Sequence, residues 1–105
     1  MFIAMNRFQV SLGKNEEFEA VWKGRDSHLA DVPGFIGFHL LRGATDESCT
    51  LYATHTAWQS RTAFEDWTKS EAFRAAHAGA GKTRDLYAGP PKLELFDEVQ
   101  SLTSG

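Results

Sequence analysis

Cysteine is nearly absent from this sequence, which contains only Cys49. One thiol cannot form an internal disulfide or a cysteine-based metal cage, so a reducing compartment is expected. The sequence also lacks runs of lysine and arginine, and its formal net charge of -3 argues against nucleic acid as a partner. No stretch approaches the ~20 apolar residues of a membrane span, and the first ten residues lack the pattern of a signal peptide. We therefore expect a cytoplasmic protein that binds neither nucleic acid nor membranes.

The sequence does contain enough apolar material for one core. Of its 105 residues 42% are hydrophobic, and eight are phenylalanine. A chain of this size is too small to be divided between two cores. We expect a single domain over residues 1–100, followed by a flexible tail at residues 101–105.

Alternation and helical spacing in the sequence predict the element order βαββαβ. Residues 2–10 alternate as a strand, and residues 35–42 and 51–58 form a hairpin around a polar turn. A first helix, capped by Asn15, is expected to end before Pro33. A second helical region begins near Ser60, breaks around residues 68–70 and resumes over residues 71–77. The last strand is expected over residues 92–99.

This order predicts a ferredoxin-like α+β fold, in which helices cover one face of a four-stranded antiparallel sheet. The other face of such a sheet has no cover of its own. A two-fold homodimer covers it when the two sheets pack face to face into an α+β barrel. We therefore expect a homodimer.

Asn6 is unusual because it shares its strand face with apolar residues, among them Ala4 and Phe8. A buried carboxamide is costly unless it forms a hydrogen bond, so a polar group is expected to meet Asn6 there. The alternative interpretation is an asparagine that satisfies only the neighbouring backbone or marks a strand bulge.

His77 ends a predicted helical run beside small residues and Gly79. Its neutral imidazole can bind iron, while a carbonyl of the helix end accepts the second ring proton and orients the ring. A lone histidine at the negative end of a helix is more often a capping or surface residue. Trp67 lies ten residues earlier, and core packing alone would explain it.

The remaining candidate residues carry weaker signals. His28, His39 and His55 have no partner at metal-ligand spacing in the sequence, and we interpret them as structural. A catalytic thiol at Cys49 is not expected, because no histidine lies near it in the sequence.

On the predicted fold, Asn6, Trp67 and His77 fall on the side of the sheet that the helices cover, where one pocket could hold all three. In this order and spacing they resemble the site of the IsdG-type heme-degrading monooxygenases, a branch of the antibiotic biosynthesis monooxygenase superfamily. The resemblance spans nearly the whole chain. Its most specific parts are residues 5–8, the Gly34-Phe35 pair and the segment from Trp67 to His77.

The resemblance implies that the chain binds heme, both as substrate and as cofactor. Such an enzyme opens the porphyrin with O2 and electrons from an external reductase, and it releases iron and a linear tetrapyrrole. By the same resemblance His77 is the axial ligand of the heme iron, and Asn6 donates a hydrogen bond on the opposite side, where oxygen binds. Trp67 would press the porphyrin out of its plane.

The resemblance does not identify the residues that hold the heme propionates, which need cations or backbone donors. The candidates are Arg7, Arg25, Arg74, Lys82 and Arg84.

Three other interpretations stay open at this point. A cofactor-free monooxygenase of an aromatic or quinol substrate would use Asn6 and Trp67 but would not need His77. A non-catalytic heme carrier would keep His77 as a ligand without turnover. A ligand-free dimer would need none of the three.

Overall fold

A computed structural model of the chain describes residues 1–24, 29–70 and 85–104. In chain order the elements are β1 (Phe2–Ser11), α1 (Asn15–Lys23), a 3-10 turn (Leu29–Asp31), β2 (Phe35–Thr45), β3 (Cys49–Trp58), α2 (Arg61–Thr68) and β4 (Lys92–Asp97). The strands form one antiparallel sheet of four in the order β2-β3-β1-β4. This architecture confirms the predicted ferredoxin-like α+β fold.

β1 lies inside the sheet because it is paired along both of its edges. It pairs with β3 over its full length, from Phe2 opposite Trp58 to Ser11 opposite Cys49, and with β4 from Phe2 to Arg7. Its side chains alternate between two faces. The face that meets the helices, called here the helix face, carries Phe2, Ala4, Asn6, Phe8 and Val10. The opposite face, called here the outer face, carries Ile3, Met5, Arg7 and Gln9.

The core lies on the helix face and consists of two clusters. The first cluster contains Phe8, Val10, Phe18, Tyr52 and Leu86. The second cluster contains Phe2, Ala4, Trp58 and Phe64. Each helix is anchored in one cluster by a buried phenylalanine, Phe18 for α1 and Phe64 for α2. Burying one such side chain contributes roughly 1.5–3 kcal/mol to folding, so these two residues fix where the helices lie on the sheet.

The ends of α1 and of β4 differ from the sequence-based expectation. The predicted cap at Asn15 is wrong, because α1 begins at Asn15 itself and Lys14 holds the capping position without a side-chain bond. α1 ends at Lys23, so Leu29 belongs to the separate 3-10 turn. β4 ends at Asp97, two residues before the expected position 99.

The hairpin is longer than the sequence predicted because its turn is held by Asp46. The Asp46 carboxylate accepts hydrogen bonds from the backbone N–H groups of Ser48 and Cys49, at 2.7 and 2.9 Å. These two bonds, the one from Cys49 first, lower the pKa of Asp46 below its ordinary value. Pairing therefore extends to Thr45 and Thr50, whose hydroxyl oxygens lie 2.8 Å apart.

The second helical region begins as predicted. The Ser60 hydroxyl oxygen accepts a hydrogen bond from the Ala63 N–H at 3.1 Å, which caps α2. α2 ends at Thr68, within the stretch where a break was expected. The helix predicted over residues 71–77 lies outside the described residues. In the part of the chain that the structure describes, no helix has both the length and the apolar character that crossing a bilayer requires.

Candidate functional site

Asn6 lies in the middle of β1 on the helix face, between the two core clusters. Its neighbours on that face are Thr54 of β3, which is 6% exposed, and Leu93 of β4. The Asn6 Oδ1 is buried and accepts no hydrogen bond from any residue within 1–24, 29–70 or 85–104. The register between β1 and β3 runs without a shift past this position, so Asn6 does not mark a bulge. Asn6 as a whole is partly exposed, but its Oδ1 is a buried acceptor that these parts of the chain leave unsatisfied, which is unusual in a folded protein.

The sheet beside Asn6 is apolar and open. Leu93 and Leu95 lie on the helix face of β4, opposite Asn6 and Ala4, and they are 56% and 39% exposed. Leucine side chains next to a core are normally covered. Leu93 and Leu95 therefore form an exposed apolar surface on the helix face, called here the apolar floor, on which a flat ligand can lie. The Asn6 carboxamide is at the edge of this surface, on the neighbouring strand.

Trp67 lies in the last turn of α2 and belongs to the second cluster. Its ring packs on the fully buried Trp58, with ring centroids 5.4 Å apart and planes inclined by 36°. Phe64 supports it from the same helix at 6.2 Å. These contacts support the core interpretation of Trp67, whose side chain is partly buried.

A pocket of about 390 Å³ opens between α2 and the turn before β2. Its lining includes Val32, Gly34, Asp66, Trp67 and Ser70. Its volume falls in the range of small-molecule sites. Asn6 does not line this pocket, so it is not the shared cavity that the sequence predicted.

The structure brings two of the three predicted site residues to the same side of the sheet. Trp67 packs against the cluster that contains Ala4, and Asn6 follows Ala4 by two positions on the same face. His77 lies outside the described residues. The same holds for four of the candidate propionate ligands, Arg25, Arg74, Lys82 and Arg84.

Arg7, the fifth candidate for the propionates, lies on the wrong face of the sheet. It follows Asn6 directly in β1, so its side chain points to the outer face, where it forms an ion pair with Glu94. A ligand beside Asn6 would be on the other side of the sheet. Arg7 is therefore not a propionate ligand of such a site.

Sequence reasoning missed a polar contact that joins α1 to the sheet. The Tyr52 hydroxyl donates a hydrogen bond to Glu19, and Arg42 of β2 lies 3.3 Å from the same carboxylate. The Tyr52 hydrogen bond is the main cause that lowers the pKa of Glu19, and Arg42 and Lys23 add to it. Burial and the Glu19 carboxylate raise the pKa of Tyr52. No sequence signal reveals this contact, because 33 residues separate its members.

A protein-only metal centre is not visible in residues 1–24, 29–70 and 85–104. Within them no group of three or more histidine, cysteine, aspartate or glutamate residues is arranged to hold a metal ion. Among the described residues, the groups nearest Asn6 on the helix face are therefore the exposed leucines of β4 and the buried Thr54.

Known proteins similar to this chain include several enzymes that act on heme. A heme-degrading monooxygenase of Shouchella clausii is 36% identical over 64 residues, which are 61% of this chain and 59% of that protein. The chain thus spans less than two thirds of that relative. A heme-degrading monooxygenase of Bacillus thuringiensis is 33% identical over 97 residues, which are 92% of this chain and 89% of that protein.

Solved structures with the same fold include enzymes of two kinds. The heme-degrader MhuD of Mycobacterium tuberculosis, solved with two hemes in its active site, superposes with a TM-score of 0.75 at 29% identity, covering 98% of this chain and all of that one. SnoaB of Streptomyces nogalater, a cofactor-independent oxygenase, gives a TM-score of 0.73 at 27% identity, covering 98% and 97% of the two chains. The family model described as antibiotic biosynthesis monooxygenase matches residues 1–79. The chain therefore belongs to the antibiotic biosynthesis monooxygenase family.

Proposed function

We propose that this chain is a heme-degrading oxygenase, with heme bound on the helix face beside Asn6 and with His77 as the axial ligand of the iron. The observation that carries the proposal is the buried Oδ1 of the partly exposed Asn6, which has no partner among the described residues and lies beside the exposed Leu93 and Leu95. A large flat apolar ligand with a reactive polar centre would satisfy both features. Two relatives that are named heme-degrading monooxygenases support the same assignment.

Asn6 is proposed to donate a hydrogen bond on the side of the heme where oxygen binds. A half-turn of the carboxamide exchanges its donor and its acceptor, so the group can present its N–H2 to a ligand without movement of the backbone. β1 is paired on both sides at this position, which fixes the Cα of Asn6. The residue therefore supplies a donor at a constant place in an apolar setting, where a hydrogen bond is stronger than in water.

Trp67 is proposed to deform the porphyrin. Its ring is supported from behind by Trp58 and Phe64. Because packed side chains resist displacement, an indole backed in this way can press on a flat ligand without yielding. Deformation of the macrocycle is one of the means by which a protein tunes heme reactivity.

His77 is proposed as the iron ligand, and a separate reductase is proposed as the electron donor. Bound heme supplies both the iron that activates dioxygen and the ring that is opened. The iron and a linear tetrapyrrole would be the products. The remaining candidates for the propionates are Arg25, Arg74, Lys82 and Arg84, since Arg7 lies on the outer face.

A cofactor-free oxygenase is the second candidate. It is favoured by the likeness to SnoaB, whose identity to this chain is close to that of MhuD. Such an enzyme would use the apolar floor and Asn6 for an aromatic substrate, and it would not require His77.

A hemin titration separates these functions. We expect the purified protein to give a sharpened Soret band that His77→Ala abolishes, while the matched variant His28→Ala retains it. Addition of a reductant in air should then bleach the band and release iron. A Soret band that persists with its iron retained would identify a heme carrier. No spectral response to hemin would favour the cofactor-free enzyme.

A pair of asparagine variants tests the distal role. Asn6→Ala should bind hemin but degrade it at least about tenfold more slowly, since a lost donor to a developing charge costs on the order of 1.4 kcal/mol or more. Asn15→Ala is the control, because the Asn15 Oδ1 is also buried without a partner among the described residues but lies at the start of α1. Equal turnover rates in the two variants would remove Asn6 from the mechanism.

We also propose that the outer face is covered by a second copy of the chain. Large apolar side chains are exposed on this face, among them Leu41 at 44% and Phe96 at 44%. Light scattering should give the mass of a dimer, and Leu41→Lys should lower it to that of a monomer. Val99→Lys, at a position that is 98% exposed beyond β4, is the control. A monomeric wild-type protein would contradict the proposal.

A further inference from the structure

Two histidines that are far apart in the sequence face each other on the outer face of the sheet. His39 of β2 and His55 of β3 are register partners, and their ring centroids lie 5.9 Å apart with the planes inclined by 63°. His39 is exposed and His55 is partly exposed. No local sequence pattern predicts this pair, because only the strand register brings the two rings together.

The distance between the rings matches that of two imidazoles that share one metal ion. A ring nitrogen binds Zn²⁺ at about 2.0–2.1 Å, which puts the ion about 3.2 Å from each ring centroid. Two rings on one ion then have centroids about 5 Å apart in tetrahedral geometry and about 6.4 Å apart in linear geometry. The observed 5.9 Å lies between these limits. The strand register already holds the backbones of His39 and His55 opposite each other.

The surroundings of the pair suit a transition ion better than a hard cation. On the outer face Met5 of β1 is the next register partner of His55, and Glu94 of β4 follows Met5. Glu94 is held in an ion pair with Arg7, so the ligands nearest the pair are imidazole and thioether. Imidazole suits zinc, copper and nickel, whereas magnesium and calcium require oxygen ligands.

We propose that His39 and His55 form a bidentate site for a late first-row transition ion, with Cu²⁺ and Zn²⁺ as the ions it binds best. Water, or groups of a second copy on the same face, would complete the coordination shell. The site does not depend on the proposed heme chemistry, because β1 and β3 place Asn6 on the helix face and His55 on the outer face. With only two protein ligands, the affinity should fall well below that of a closed four-ligand site.

Calorimetric titration with Zn²⁺ and with Cu²⁺ tests the site on full-length protein without heme and without a histidine tag. We expect saturable binding that is tighter for Cu²⁺, in line with the general order of affinities. His39→Gln and His55→Gln should each weaken binding by about tenfold or more, because the loss of one ligand abolishes the chelate. His28→Gln is the matched control and should bind as the wild type does.

The number of ions bound per chain and the broadening of NMR signals by Cu²⁺ give two further tests of the site. One ion per chain, or one ion per two chains if a second copy shares it, supports the site provided that both histidines are needed. In the wild-type protein, substoichiometric Cu²⁺ should broaden the ring NMR signals of His39 and His55 before those of the other histidines. Binding that either variant leaves unchanged, or broadening that begins at His28 or His77, would overturn the proposal.

Discussion

The Tyr52 hydroxyl and the Glu19 carboxylate form a hydrogen bond that ties α1 to the centre of the sheet. Tyr52 is 1% exposed and packs on Phe18, with ring centroids 4.6 Å apart, so the bond forms at the edge of the first cluster. Arg42 reaches the same carboxylate from β2. α1 is therefore held on the sheet by the buried side chain of Phe18 and by the charged side chain of Glu19.

The lowered pKa of Glu19 predicts a dependence of stability on pH. A carboxyl group whose pKa is lower in the folded state stabilises the fold above its unfolded value, here 4.5, and this contribution is lost as the pH falls through the folded-state pKa. Glu19→Gln should therefore reduce the free energy of unfolding at pH 7, and the difference from the wild type should shrink below pH 4.5.

Urea denaturation at a series of pH values measures this difference. Glu65→Gln, at an exposed position of α2, is the control and should change stability by less than about 0.5 kcal/mol. A difference between wild type and Glu19→Gln that stays constant from pH 7 to pH 3 would contradict the role given to the Tyr52 bond.

Gly34 should be intolerant of any side chain. Its φ is +82°, and an added Cβ would lie 2.5 Å from the Ala63 Cβ of α2. Gly34→Ala should lose about 2–4 kcal/mol of stability, from the left-handed backbone together with the clash. Gly13→Ala is a matched control, because Gly13 has a φ of +81° but nothing within 4 Å of an added Cβ. It should lose only about 1–2 kcal/mol. Equal losses in thermal or urea unfolding would show that the contact with α2 is unimportant.

The cap of α2 should be measurable in the same way. Ser60→Ala removes the acceptor for the Ala63 N–H and should cost about 1 kcal/mol. Ser60→Asp keeps an acceptor and should restore most of that loss. The urea midpoints of the two variants measure this difference. A Ser60→Asp variant as unstable as Ser60→Ala would show that the hydrogen bond of the cap does not stabilise α2.

Support of the Trp67 ring by the core predicts an effect on heme degradation. If the indole deforms the porphyrin, Trp67→Phe should bind hemin but degrade it more slowly, by about tenfold for each 1.4 kcal/mol of lost activation. Trp22→Phe changes another half-buried tryptophan, one that packs on the first cluster, and should leave turnover unchanged. The Soret position and the rate of bleaching are the measurements. A normal rate in Trp67→Phe would assign the residue to packing alone.

Alternation and capping in the sequence predicted the elements that position the site. The face of β1 that carries Asn6 followed from its apolar neighbours, and the Ser60 cap followed from its place before a helical pattern. The cap at Asn15 failed because side-chain preference cannot determine which residue takes the capping geometry once Phe18 docks in the core. Strand alternation also predicted that Arg7 lies on the face opposite Asn6, and the structure confirms this placement, which removes Arg7 from the candidates for the propionates.

Contacts between segments that are distant in the chain could not be predicted from the sequence. The His39–His55 pair and the Tyr52–Glu19 bond both depend on strand register or on helix docking, which local patterns do not encode. Leu86 is 6% exposed in the first cluster, and Tyr87 forms an isolated bridge with Val10, which no local pattern predicted. The segment around them carries too few apolar residues to show a periodicity.

The double pairing of β1 also governs how long Asn6 keeps its place. A strand held on both edges loses its hydrogen bonds only when the whole sheet separates, whereas edge strands fray at lower cost. The backbone amides of β1 should accordingly exchange with deuterium among the slowest in the protein. The Asn6 carboxamide would then remain in position up to the denaturation temperature. Thermal inactivation of the enzyme would therefore begin in the elements that surround β1, before β1 itself separates.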